Sequence, residues 1–244
     1  MSRAKKTVSL PVEGVSEETL NRKLPRGVSS LPKEEALQAQ RLRLIHGTAL
    51  AVAEKGYTAT TITDITKLAG VSRTTFYELF KDKEDCYLYG FLALSESHLR
   101  KVRVAMASTG HLAERCVLAQ RAYIERLDVN HAYAYAFIVE AEGASSKVRE
   151  AEANVRSQLM KMTKNWLDEV RASFPEVPPC SDRTLQMLTV ATHYFVMERV
   201  REGEKHSDDG MNELARFTFS ALGLYGWARK VGSGQPPRWG NPLR

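Results

Sequence analysis

Between Thr61 and Lys83 the chain reads Thr-Ile-Thr-Asp-Ile-Thr-Lys-Leu-Ala-Gly-Val-Ser-Arg-Thr-Thr-Phe-Tyr-Glu-Leu-Phe-Lys-Asp-Lys, and its polar members are of types that bond nucleic acid. Arg73 carries a planar fork of donors that matches the acceptor edge of guanine, and Thr74 offers a base both a hydroxyl and a methyl group. Both are assigned to direct base readout. Thr61, Thr75, Tyr77 and Lys83 suit phosphate oxygens, and Ser72, which caps the reading segment, is counted with them. Such contacts position a protein on DNA without specifying sequence. On an isolated helix the same side chains would be an ordinary solvated face, and Lys83 an ordinary helix-start lysine, so the surrounding elements decide.

Those elements read as helix, tight turn, helix. Thr61 and Asp64 mark a helix start that runs to about Leu68, Ala69-Gly70-Val71 makes a turn in which glycine tolerates positive φ, and Ser72 caps a second helix through Phe80. Ile62, Ile65, Leu68, Ala69, Val71, Phe76 and Phe80 are the apolar anchors, which leaves Arg73, Thr74, Thr75 and Tyr77 facing outward. A helix-turn-helix needs this division between bracing and reading residues. Before it, an amphipathic helix from Pro32 to Lys55 stops at Gly56, and Gly47 within it costs roughly 1 kcal/mol relative to alanine. After it, Asp82 caps a long helix ending before Gly110. Further helices are expected over about 112–127, 132–142, 146–174, 182–202 and 208–230, and no convincing strand pattern occurs.

The fold class is therefore all-α. Residues 1–31 are a flexible basic arm, 32–81 the helix-turn-helix domain, 82–231 a larger C-terminal helical domain and 232–244 a flexible tail. The chain has 244 residues, a net charge of +6 and 43% hydrophobic residues. Residues 1–107 hold 17 Lys/Arg against 12 Asp/Glu, so the basic excess lies in the half that carries the reading segment. Three cysteines without a C-x-x-C spacing indicate neither a disulfide framework nor zinc, and no metal or cofactor is expected. Without a signal-like segment or a run of about 18 apolar residues, the chain is expected to be soluble and cytoplasmic, with no membrane partner.

Gly56-Tyr57, Thr60-Thr61-Ile62, Ile65, Ala69-Gly70-Val71-Ser72, Thr75-Phe76-Tyr77, Phe80 and Lys83-Glu84 together resemble the N-terminal signature of the TetR family over about 45 residues. Departures are small: Thr66 stands where alanine is usual, Gly47 and Thr48 replace alanines, and Cys86 replaces leucine. The resemblance implies a three-helix DNA-binding domain, a connecting fourth helix, and a C-terminal domain whose last two long helices form a homodimer interface. It also implies a small-molecule effector that releases the protein from a near-palindromic double-stranded DNA operator, with repression as the family expectation.

Tyr123, Phe137, Trp166, His193 and Tyr194 are candidates for a ligand pocket, set against the default that aromatic residues in a bundle are core. The scarcity of charge among them favours an apolar effector. Leu188, Thr192, Phe195, Phe217, Ala221 and Leu222 are the candidate dimer surface. Enzyme motifs such as H-E-x-x-H, G-x-S-x-G and the Walker loop are absent, and the six histidines do not cluster, so an enzyme is not expected. Two other readings compete: an architectural DNA binder without an effector, and a ligand-binding bundle that no longer binds DNA.

Overall fold

A computed structural model describes residues 33–205 and 207–224; the expected arm over 1–31 and the tail over 232–244 lie outside the described residues. Ten α-helices and one π-helical turn occur among the described residues. They are α1 Lys33–Ala59, α2 Ile62–Ala69, α3 Arg73–Leu79, α4 Lys83–Met106, α5 Leu112–Val129, α6 His131–Ala134, the π-helical turn Tyr135–Val139, α7 Ala141–Ala144, α8 Ser146–Ser173, α9 Asp182–Arg201 and α10 Asp208–Ala221.

Local chemistry fixes the helix ends. Thr61 Oγ1 accepts the Asp64 N–H at 3.2 Å while Asp64 Oδ2 accepts the Thr61 N–H at 3.0 Å, a reciprocal box that starts α2. Ser72 accepts the Thr75 N–H at 3.0 Å to start α3, and Asp82 accepts the Asp85 N–H at 2.9 Å to start α4. Ser145, Ser181 and Ser207 cap α8, α9 and α10 in the same way. The expected stop of α1 at Gly56 is a break in helical geometry, with φ 77° and ψ 159°, after which a last turn continues to Ala59.

Three clusters of buried side chains hold the helices together. Leu44, Ala51, Ile65, Ala69, Phe76 and Phe80 make the core of α1–α3. The adjoining face of α1, with Ile45, Val52 and Tyr57, meets Tyr87, Phe91 and Phe137 in a seam between the two halves of the chain. The largest cluster fills the C-terminal bundle, where Ile124, Trp166, Leu185, Val196 and Phe219 are almost completely enclosed. Each such side chain contributes on the order of 1.5–3 kcal/mol by leaving water, which is why α1 is bound to both halves.

Two expected helices differ. The segment 132–142 is not one α-helix but α6, a π-helical turn and α7, with the Glu140 N–H bonded to Tyr135 O at 3.1 Å across five residues. The extra residue in the turn lets Ala136, Phe137, Ile138 and Val139 all be buried in succession, which a regular amphipathic helix does not allow. The final helix ends at Ala221 rather than running to 230, because the chain turns at Leu222–Leu224 with the Leu224 N–H on Phe219 O at 2.7 Å. No helix among the described residues is long and apolar enough to cross a membrane.

Candidate nucleic-acid interface and ligand cavity

The short helix α3 is held from behind by Phe76 and Phe80, both buried, and its front presents Arg73, Thr74 and Tyr77 to solvent. Thr75 is half-buried, and its hydroxyl shares a 2.9 Å hydrogen bond with Ser72, so both are bound up in the cap and reach outward only at its edge. Thr61 is exposed but tied to Asp64. The turn between α2 and α3 is pinned by Arg43, whose Nη2 donates to Gly70 O at 3.1 Å, with Gly70 at φ 60°. Arg43 was not among the residues expected here; only its distance across the fold reveals it. Leu68, expected as an anchor, is 42% exposed, because it falls on the side of α2 turned away from α1 and α3.

Lys83 faces inward. Its Nζ donates to Tyr57 O at 2.7 Å, Thr60 O at 2.9 Å and Thr58 O at 3.3 Å, and it sits 4.3 Å above the Tyr57 ring. The ammonium thus closes the carbonyl end of α1 and ties the start of α4 to the loop that precedes α2. Burial lowers its pKa from the usual lysine value. All three of its donors are directed at these carbonyls, so the described structure leaves none reserved for a phosphate.

The same corner receives a contact from the C-terminal half. Glu140 Oε2 accepts the Tyr57 N–H at 2.7 Å, and Tyr87 of α4 donates its hydroxyl to the Ala136 carbonyl within the π-helical turn. Burial raises the Tyr87 pKa well above the usual tyrosine range, which keeps it a neutral donor. Glu84 and Lys147 form a further ion pair between the starts of α4 and α8.

A cavity of about 120 Å³ lies between α4, α5, α8, α9 and α10. Tyr123, Phe137 and His193 line it, as expected. Trp166 does not: it is 2% exposed, donates Nε1–H to Leu112 O at 2.8 Å and packs against Phe219. Tyr194 does not either, because one helical step beyond His193 turns it outward, 57% exposed. The wall is largely apolar, with Phe91, Leu99, Val102, Met106 and Leu159 among its members, but it carries a polar cluster not foreseen from the sequence. Glu152 Oε1 accepts from Arg156 Nη1 at 2.5 Å and lies 3.1 Å from His193 Nε2. Burial pushes the Glu152 carboxyl up, but the hydrogen bonds and charges of His193 and Arg156 outweigh it and hold the group below its ordinary value. The i, i+4 spacing of Glu152 and Arg156 was a visible signal for their pairing. Burial pushes the Cys116 thiol and the Tyr123 phenol up to about 12, so both line the cavity as neutral groups.

The outer surface of the last two helices also differs from expectation. Leu188 and Leu222 are buried in the protomer, Thr192 lines the cavity, and Phe195 and Ala221 pack half-buried against the core. Of the six residues named for the dimer surface only Phe217 is an exposed large apolar side chain. Beside it in type and exposure stand Met187, Val190 and Tyr194, which share one stripe of α9 by their spacing of three and four. An apolar helix has a core side and an outer side, and hydrophobicity alone did not separate them.

Residues 44–89 match the family described as bacterial regulatory proteins, tetR family. No curated protein matches the sequence. Among solved structures, the transcriptional regulator FadR from Bacillus subtilis in complex with stearoyl-CoA aligns at 20% identity over 80% of this chain and 98% of its own, with a TM-score of 0.62. The fatty acid degradation regulator FadR from Bacillus halodurans aligns at 21% identity over 74% and 96%, with a TM-score of 0.61. A TetR-like transcriptional regulator from Rhodococcus sp. RHA1 aligns at 14% identity over 79% and 98%, with a TM-score of 0.64. At these identities the likeness is one of fold.

Proposed function

We propose that this chain, whose residues 44–89 match the tetR family of bacterial regulatory proteins, acts as a homodimer on a near-palindromic operator and leaves it when a small ligand enters the C-terminal cavity. The observation that carries the DNA reading is the Ser72-capped helix α3, whose exposed Arg73, Thr74 and Tyr77 stand on a buried Phe76–Phe80 support. In a symmetric dimer two such helices would enter successive major grooves roughly 34 Å apart. Arg73 and Thr74 read base edges; Thr61, Ser72, Thr75 and Tyr77 seat the phosphates. Lys83 contributes through the α1–α2 corner it clamps rather than by touching DNA.

Dimerisation is assigned to the exposed Met187, Val190 and Tyr194 stripe of α9 with Phe217 of α10, since an isologous contact of two helices from each protomer would cover all four. For the effector, the apolar cavity wall supports a largely apolar ligand, in keeping with the stearoyl-CoA carried by the Bacillus subtilis relative. The coupling route runs through the π-helical turn, where Phe137 lines the cavity and the neighbouring Ala136 and Glu140 hold Tyr87 and Tyr57. A ligand releases the protein only if it binds the DNA-incompetent arrangement more tightly than the competent one.

The test is selection of bound sequences from a random duplex pool at fixed salt, followed by Arg73→Ala. The expected result is an enriched inverted repeat at which Arg73→Ala relaxes preference at one position of each half-site by about 1–3 kcal/mol. Binding without enrichment points instead to an architectural role, and unchanged preference in the variant refutes the readout assigned to Arg73.

A further inference from the structure

The cavity is long. Phe91, Ser95, Leu99, Val102 and Met106 line it at spacings of three and four along α4, which spans about 22 Å of helix axis at 1.5 Å per residue. Glu152, Arg156, Leu159 and Thr163 line it along roughly 16 Å of α8. A volume of about 120 Å³ drawn out over that length is a slot suited to an extended chain rather than to fused rings.

The slot has two unlike ends. The Glu84–Lys147 pair joins the starts of α4 and α8, while Trp166 near the end of α8 bonds Leu112, just beyond the end of α4, so the two helices run side by side in the same direction. Glu152 and Arg156 therefore lie toward the Phe91 end, and Leu159 and Thr163 toward the Met106 end. Near Glu152 and Arg156 stands His193 of α9. Farther along the wall, Gln120 binds Thr218 Oγ1 through one amide atom at 2.5 Å, while its other amide atom, buried, has no hydrogen-bond partner among the described residues.

Charge selects the head group. The ionisable groups of the lining include one carboxylate, Glu152, against one guanidinium, Arg156, and two imidazoles, His98 and His193. An ammonium ligand would find the one carboxylate already bonded by Arg156 and would have to compete with it. An anion can be met by Arg156, which directs one N–H at Glu152 and has four more to offer.

We infer that the cavity takes a chain-like amphipathic anion, its carboxylate or equivalent singly charged head at Arg156 and His193 and its apolar chain extending toward Met106. This rests on the reading of the cavity as the effector site. It also places the charged head in the same cavity lining as Phe137, whose neighbours Ala136 and Glu140 hold Tyr87 and Tyr57.

The test is calorimetric titration of the full chain with decanoate, 1-decanol and decylammonium, three probes with the same chain and different heads. Decanoate is expected to bind at least about tenfold more tightly than decanol, a charge-assisted hydrogen bond's worth, with decylammonium weakest. Arg156→Gln should abolish the preference for decanoate while leaving decanol unchanged, and Arg156→Lys should keep most of it. The double variant Glu152→Gln/Arg156→Gln removes both charges together and serves if the single variant does not fold. Equal binding of decanoate and decanol, or a preference that survives loss of Arg156, overturns the head-group assignment and leaves the cavity reading standing. Failure of all three probes to bind the folded protein overturns both.

Discussion

Replacing Gly47 with alanine sets two physical rules against each other. Gly47 lies in the interior of α1, where alanine is worth about 1 kcal/mol more than glycine in an exposed helix. In this fold, however, a Cβ at position 47 would lie 2.6 Å from Ile65 O, 2.8 Å from Ala69 N and 3.0 Å from Ala69 Cβ. Two of those atoms are backbone of α2, so no side chain can swing aside to make room. The helix is also pinned at both ends, by the Thr61–Asp64 box with Lys55 at its start and by Arg43 on Gly70 O at its end. Overpacking costs about 1–3 kcal/mol, and rigid backbone puts this case at the upper end. After the gain in helix propensity the expected net loss is about 2 kcal/mol. At roughly 2–4 °C per kcal/mol for a chain of this size, the melting temperature should fall by about 4–8 °C. Thermal denaturation followed by far-ultraviolet circular dichroism would read it, at one protein concentration because association shifts the midpoint. DNA affinity should fall with it, since α2 braces α3. A Gly47→Ala protein that melts at or above the wild type would refute the close approach of α1 to α2.

Glu140→Ala leaves the half-buried Tyr57 N–H without its acceptor, a loss of about 1–3 kcal/mol, and should speed hydrogen exchange at the Tyr57 amide and weaken operator binding; unchanged exchange would remove Glu140 from the coupling route. Met187→Glu places a charge on the outward stripe of α9 and should convert a dimer to a monomer by sedimentation, whereas an unaltered dimer would shift the interface elsewhere. Glu152 has a folded-state pKa below its ordinary 4.5, so its stabilising contribution is present above that pH and lost as pH falls through the folded value. Glu152→Gln should therefore be less stable than wild type at neutral pH, and the gap should narrow on acidification below 4.5 in chemical denaturation; a constant gap would contradict the ion-paired state.

The helix-turn-helix geometry was legible because its determinants are local. Thr61, Gly70, Ser72 and Asp82 act on backbone groups within three or four residues of themselves, and cap chemistry of that range is written in the order of residues. Helix 132–142 was not legible in the same way. The run Ala132 to Val139 is apolar or aromatic on every side, so periodicity offers no register, and the π-helical turn arises from packing against α1, α4 and α9 together.

The helical class, the order of the main helices and the outward face of α3 thus follow from spacing and capping along the chain. Which face of α9 is core and which is free, that Trp166 is a structural donor rather than a cavity residue, and that Lys83 clamps carbonyls instead of facing solvent follow from tertiary contacts. So does the meeting of Glu152 and Arg156 on α8 with His193 on α9, some forty residues later, in one cavity wall. Short-range hydrogen bonding is decided by neighbours in sequence, whereas the partner of a long side chain is whatever the packed helices bring within a few ångströms of it.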